Sequence, residues 1–118
     1  MWSQVTRALP HHRLIAYEVA RELLATVVRG NIADSRLRDQ ALRAAKSACL
    51  NVAEAAGRST KADQARVFGI ARGEACEAAA AVEIAATAGD CPNEIAQRAN
   101  ELSSRLVGLL TGLIKPKP

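Results

Sequence analysis

Alanine dominates the apolar residues of this 118-residue chain: 25 of the 58 residues that could build a core are alanine. A single methyl group favours helix and lets backbones approach closely, but it gives a sheet little to bury. Aromatic residues number three, Trp2, Tyr17 and Phe68, and the chain is poor in the Val, Ile and Thr that an all-β domain needs. The length allows one core of ordinary size and no second. An apolar share of 49% excludes a disordered chain. The expected class is a small all-α domain.

Glycine and proline divide that helical pattern into four parts. Pro10 closes a flexible lead-in of residues 1–11. From about His12 to Arg29, Leu14, Tyr17, Leu24 and Val28 recur at helical spacing beside Ile15, Val19, Leu23 and Val27. Gly30 suits the position just past a helix end, and Asp34 or Ser35 suits the next N-cap. A second helix runs from about Arg36 to Ala56 and stops at Gly57. Thr60-Lys61-Ala62-Asp63 resembles a capping box with Asp in the acidic place, and the third helix continues to about Ala88 and Gly89. Asp90-Cys91-Pro92 restarts the chain, since proline fits a first helical turn. The fourth helix ends near Ile114, before an extended tail of residues 115–118. Four helices with short turns predict a single up-down-up-down antiparallel four-helix bundle over residues 12–114.

So many alanines leave a thin core, because the hydrophobic gain scales with buried area at about 25 cal/mol per Å². Gly69-x-x-x-Gly73 and Gly108-x-x-x-Gly112 add small-residue stripes that imply close backbone approach, inside the bundle or against another subunit. Self-association is therefore expected on physical grounds.

The setting follows from charge and cysteine. Sixteen Lys and Arg against twelve Asp and Glu give +4, with residues 61–90 alone carrying a net negative charge. Cys49, Cys76 and Cys91 show no CxxC spacing, so neither a disulfide framework nor a zinc site is expected. The first residues do not read as a secretory signal. The longest uncharged apolar run, Leu106 to Ile114, is too short to span a bilayer. A reduced cytoplasm, with no membrane partner, is the expected location.

Along the second helix, Gln40, Arg43, Ser47, Asn51 and Glu54 fall three or four residues apart, with Arg58 one turn further. That spacing sets them in one stripe. Ser and Asn are mediocre mid-helix residues, and Ala44, Ala45, Ala48, Val52 and Ala55 flank them. A partly buried seam is expected, in which Ser47 and Asn51 bond across to a neighbouring helix, with Glu77 the candidate partner. A solvated face and a ligand or catalytic site are the alternatives.

At this stripe the chain resembles a known family. Gln40-x-x-Arg43-Ala44-x-x-Ser47-x-x-x-Asn51-Val52-Ala53-Glu54, then Gly57-Arg58, then Ile70-Ala71-x-Gly73-x-x-x-Glu77, is similar to the rRNA intervening-sequence proteins. These are bacterial proteins first noticed within insertions in large-subunit rRNA genes. Leu14-x-x-Tyr17-x-x-Ala20-x-x-Leu23 resembles the family's first helix. Ala55, Val67, Glu74 and Ala81 stand where the family usually has Gly, an aromatic, Ser and Gln.

The resemblance implies a four-helix bundle assembled as a homopentameric ring, in a family most of whose members have no established activity. A relative, the accessory variability determinant of diversity-generating retroelements, implies binding to nucleic acid and to a nucleic-acid enzyme. Candidate contacts are Arg36, Arg38, Lys46, Arg58 and Lys61, with ordinary surface charge as the alternative. The scarcity of aromatics argues against recognition by base stacking.

Enzymatic readings find little support. His11 and His12 are the only histidines and lie in no Glu-x-x-His motif of the di-iron bundles. No Gly-rich phosphate loop is present, and nothing in the sequence sets Ser47, Cys49 or Cys76 beside a histidine. Neither a cofactor nor a metal site is expected. The reading that follows is a non-enzymatic homo-oligomeric scaffold or adaptor for RNA, DNA or a nucleic-acid enzyme. A protein-binding module without nucleic-acid affinity and a ligand-binding bundle built on the seam of helices two and three remain as alternatives.

Overall fold

A computed structural model describes residues 8–115 of the chain, and every regular element among them is helical. The α-helices are α1 (Ile15–Gly30), α2 (Ser35–Ala56), α3 (Lys61–Thr87) and α4 (Asn93–Ile114). Each packs beside its neighbours in sequence, α4 returns to lie along α1, and α1 barely meets α3 across the diagonal. The result is a four-helix bundle. Residues 1–7 of the expected lead-in and 116–118 of the expected tail lie outside the described residues.

The first helix begins later than its periodicity implies. Pro10–Arg13 closes into a 3₁₀ turn, held by the Leu9 N–H donating to His12 Nδ1 at 3.0 Å. Leu14 is extended, at φ −96° and ψ 124°, and separates that turn from α1.

The helix ends show which local signals decided. Asp34, rather than Ser35, caps α2 by accepting the Leu37 N–H at 2.9 Å. Thr60 caps α3 by accepting the Asp63 N–H at 3.1 Å. Asp63 does not complete a reciprocal box, because its carboxylate binds Arg58 and Arg66 instead. At the end of α1 the left-handed residue is Asn31, with φ 41°, and Gly30 is still helical. Gly30 is required for space: a Cβ there would sit 2.9 Å from Ile95 Cγ2 on α4. Gly89 does take the left-handed turn, at φ 81°. The Gly89 and Asp90 N–H groups donate to the Ala86 and Ala85 carbonyls, closing α3 as a Schellman motif. The Ala33 N–H then donates to the Asp90 carbonyl at 3.0 Å, which ties the α1–α2 and α3–α4 turns together at one end of the bundle.

The core is as thin as the composition implies. Of the 25 buried apolar residues among those described, 13 are alanine, so Leu23, Ile32, Phe68, Leu102, Leu106, Leu110 and the valines Val19, Val27, Val52, Val67 and Val82 supply most of the buried bulk. Ser103 is the polar exception from α4, donating to the Ala75 carbonyl of α3 at 2.8 Å. The glycine stripes do not bring helices together inside this bundle. A Cβ at Gly69, Gly73, Gly108 or Gly112 would meet nothing within 4 Å.

Candidate nucleic-acid interface and polar seam

The stripe on α2 does lie along the α2–α3 boundary, but its bonding differs from the expected pattern. Asn51 Nδ2 donates to the Ser47 carbonyl at 2.9 Å and to Ser47 Oγ at 3.0 Å. Both bonds stay within α2, and neither Ser47 nor Asn51 reaches Glu77. The physical reason is spacing, since residues four apart on a helix stand one above the other and find each other first. Arg43, with the longer reach, makes the crossing. Its guanidinium bonds Glu77 through Nη2 and Glu74 through Nη1, the latter at 3.3 Å. Gln40 is exposed and Gly73 faces outward.

A second ion-pair cluster lies where α2 gives way to α3. Arg58 Nη2 bonds Glu54, and its Nη1 lies 3.5 Å from Asp63 Oδ2. Arg66 Nη2 meets Asp63 Oδ1 at 3.0 Å. Arg58 Nε is buried without a hydrogen-bond partner. This network is half exposed, so each pair contributes only about 0–1 kcal/mol, and only the Arg58–Asp63 pair joins the end of α2 to α3.

The five candidate cations are not brought into one patch. Arg36 and Arg38 lie at the start of α2, whereas Arg58 and Lys61 lie beyond its other end, about 33 Å away for a helix of this length. Lys46 is between them, beside Tyr17, Cys49 and Ala53. Arg38 and Arg58 are engaged locally, since Arg38 Nη1 donates to the Ile32 carbonyl at 3.0 Å and Arg58 holds the cluster above. Arg36, Lys46 and Lys61 are exposed, with no side-chain hydrogen bond or ion pair among the described residues.

A different set of cations does converge. Lys61 and Lys115 line a groove of about 600 Å³ with Ala62, Ala65, Gly112, Leu113 and Ile114. Arg13 lines a second groove that shares Gly112 and Leu113 with the first. Among the described residues no carboxylate lines either one. Arg13, Lys61 and Lys115 are all exposed and make no ion pair among the described residues. Arg13 and Lys115 had no signal of their own in the sequence. An up-down bundle nevertheless requires the start of α1, the start of α3 and the end of α4 to share one end, and the topology alone would have paired them.

Burial pushes the Cys49 thiol up to about 11, despite the opposing pull of Arg21. Burial also raises the Cys91 thiol. His11 is lowered, by burial first and by the charge of His12 second. The ring of His11 stands edge-on to Tyr17 at 4.6 Å, a packing contact. Among the described residues no three of His, Cys, Asp and Glu come together as a metal site requires. None of the described helices is long and apolar enough to cross a membrane.

The model of one protein family, described as 23S rRNA-intervening sequence protein, matches residues 12–112. No curated protein matches the chain.

Proposed function

The chain belongs to the family of 23S rRNA-intervening sequence proteins, and from that premise we propose that it acts without catalysis, as a self-associating helical scaffold that binds nucleic acid or a nucleic-acid enzyme through a basic surface. The observation that carries this reading is the cationic end of the bundle. Arg13, Lys61 and Lys115 stand there exposed around grooves that, among the described residues, no carboxylate lines and in which these cations make no ion pair. A polyanion neutralises such a cluster by releasing condensed counterions, and each phosphate contact adds about −0.9 to the slope of log affinity against log salt. Assembly multiplies the effect. A pentamer, the state the family resemblance implies, would carry +4 on every chain and repeat the basic end five times around a ring.

Fluorescence anisotropy with a labelled mixed-sequence RNA and a DNA duplex of equal length tests the proposal. Binding that weakens steeply between 50 and 200 mM salt is the expected result. The combined Arg13→Glu, Lys61→Glu and Lys115→Glu variant should lose that binding while keeping the mass of the parent assembly. Binding that survives the triple reversal, or no binding at low salt, refutes the basic end as the contact surface.

A further inference from the structure

The grooves at the basic end are apolar inside, a property that the neutralisation of phosphates leaves unused. In the first, Gly112, Leu113 and Ile114 from the last turn of α4 face Ala62 and Ala65 near the start of α3, and the charged residues described there are Lys61 and Lys115. In the second, Leu109 and Leu113 of α4 face Leu14 and Ile15 where α1 begins, with Arg13 beside them. Ile15 is 55% exposed and Leu113 43%, so water meets apolar carbon in this groove. Gly112 lines both grooves, and a Cβ there would meet nothing within 4 Å. It therefore contributes no side chain that would part them.

The larger groove, of about 600 Å³, falls within the roughly 300–1,000 Å³ of small-molecule sites, which are likewise mostly apolar with a few polar groups that orient the ligand. A nucleic-acid backbone would satisfy the cations and leave Leu113 and Ile114 as wet as before. A planar bilayer cannot enter a concave groove, whereas one hydrocarbon chain can. The ligand that matches both parts of the site carries one anionic head on a linear apolar chain.

We infer that this end of the bundle takes up one long-chain carboxylate from solution, its head held by Lys61 and Lys115 and its chain laid against Leu113 and Ile114, across Gly112 toward Ile15. Charge complementarity selects the sign of the head, because among the described residues both grooves are edged by cations and neither by a carboxylate. The apolar lining selects the tail, since each methylene removed from water strengthens binding up to about fourfold. Two exposed lysines alone hold a short carboxylate weakly in water. The inference uses the same cations as the nucleic-acid reading but does not depend on it, because tail length and a filled groove are nothing that a phosphate backbone senses.

Isothermal titration calorimetry of the full chain with monomeric sodium octanoate, decanoate and dodecanoate tests the site. Saturable binding of one molecule per chain is expected, with affinity rising by up to about fifteenfold for each added pair of methylenes. Dodecyltrimethylammonium, with the same tail and the opposite head, should bind about tenfold more weakly than dodecanoate or worse. Gly112→Leu extends a side chain into the shared groove and keeps all three cations. By displacing about two methylenes it should lower dodecanoate affinity about tenfold, with helicity checked by circular dichroism. The comparison of head groups uses the unaltered chain, so it decides even where the variant fails to fold. No saturable binding of dodecanoate, equal binding of the two head groups, affinity that ignores tail length, or a folded Gly112→Leu variant that binds as the parent does overturns the inference. Binding to phosphatidylglycerol vesicles without binding of monomeric dodecanoate overturns it in favour of a membrane surface.

Discussion

Gly30→Ala probes the tightest approach in the bundle. The added Cβ would lie 2.9 Å from Ile95 Cγ2 and 3.4 Å from Cys91 Sγ, where ordinary contact between carbons begins near 3.5 Å. Relief cannot come from a flexible side-chain end. Cγ2 is attached directly to the Ile95 Cβ, so α4 itself or the end of α1 must move by about half an ångström. Overpacking of this kind costs about 1–3 kcal/mol, and the better helix propensity of alanine returns less than about 1 kcal/mol at a terminal position. The net expectation is a loss of about 1–2 kcal/mol, or a fall in Tm of about 4–10 °C for a chain of this size. Thermal unfolding followed by circular dichroism, at matched protein concentrations, reads the shift. Ile95→Ala removes the clashing methyl, so the double variant should be less destabilised than the two single variants predict, by about 0.5 kcal/mol or more. An unchanged or raised Tm for Gly30→Ala, or strictly additive behaviour in the cycle, would refute steric closeness as the reason for this glycine.

The contrasting site is Gly108, where a Cβ would meet nothing. Gly108→Ala should stabilise α4 by about 0.8–1 kcal/mol, and a lower Tm would show that another chain covers that face. Asp34→Ala removes the α2 cap and should cost about 1 kcal/mol, whereas Asp34→Asn should restore most of it; equal losses for both would shift the effect from the cap to charge. The Cys49 thiol, raised to about 11 from an ordinary 9.0 by burial, should react slowly at pH 8 and about tenfold faster per pH unit up to its pKa, while exposed Cys76 reacts first. The sign for stability follows: the unfolded thiol ionises before the folded one, so stability present below pH 9 should decline between pH 9 and 11. A Cys49→Ala variant that declines as steeply over that window would assign the loss elsewhere.

The chain's local chemistry determined the elements. Alanine content, apolar spacing and the signals at Asp34, Thr60 and Gly89 act within a few residues of each other, so four helices and most of their ends were legible without any knowledge of packing. The topology was legible too, because short turns leave an antiparallel neighbour as the default. The seam was half legible. Its position at the α2–α3 boundary follows from periodicity, but Ser47 and Asn51 spend their bonds on each other, and Arg43 spans the gap to α3. Side-chain length and the distance between helices decide that, and neither is written in a one-dimensional pattern.

The tertiary structure decided which residues share a surface. Arg36 and Lys61 sit 25 positions apart and end at opposite ends of α2, whereas Arg13, Lys61 and Lys115 meet around adjoining grooves because the chain reverses three times between them. It likewise decided what each glycine is for, assigning close packing to Gly30 and open surface to Gly69, Gly73, Gly108 and Gly112. A helix is fixed by interactions a few residues apart, so its sequence suffices to predict it. A charged end or an exposed apolar face is fixed by distances between residues remote in the chain, which only the assembled bundle sets.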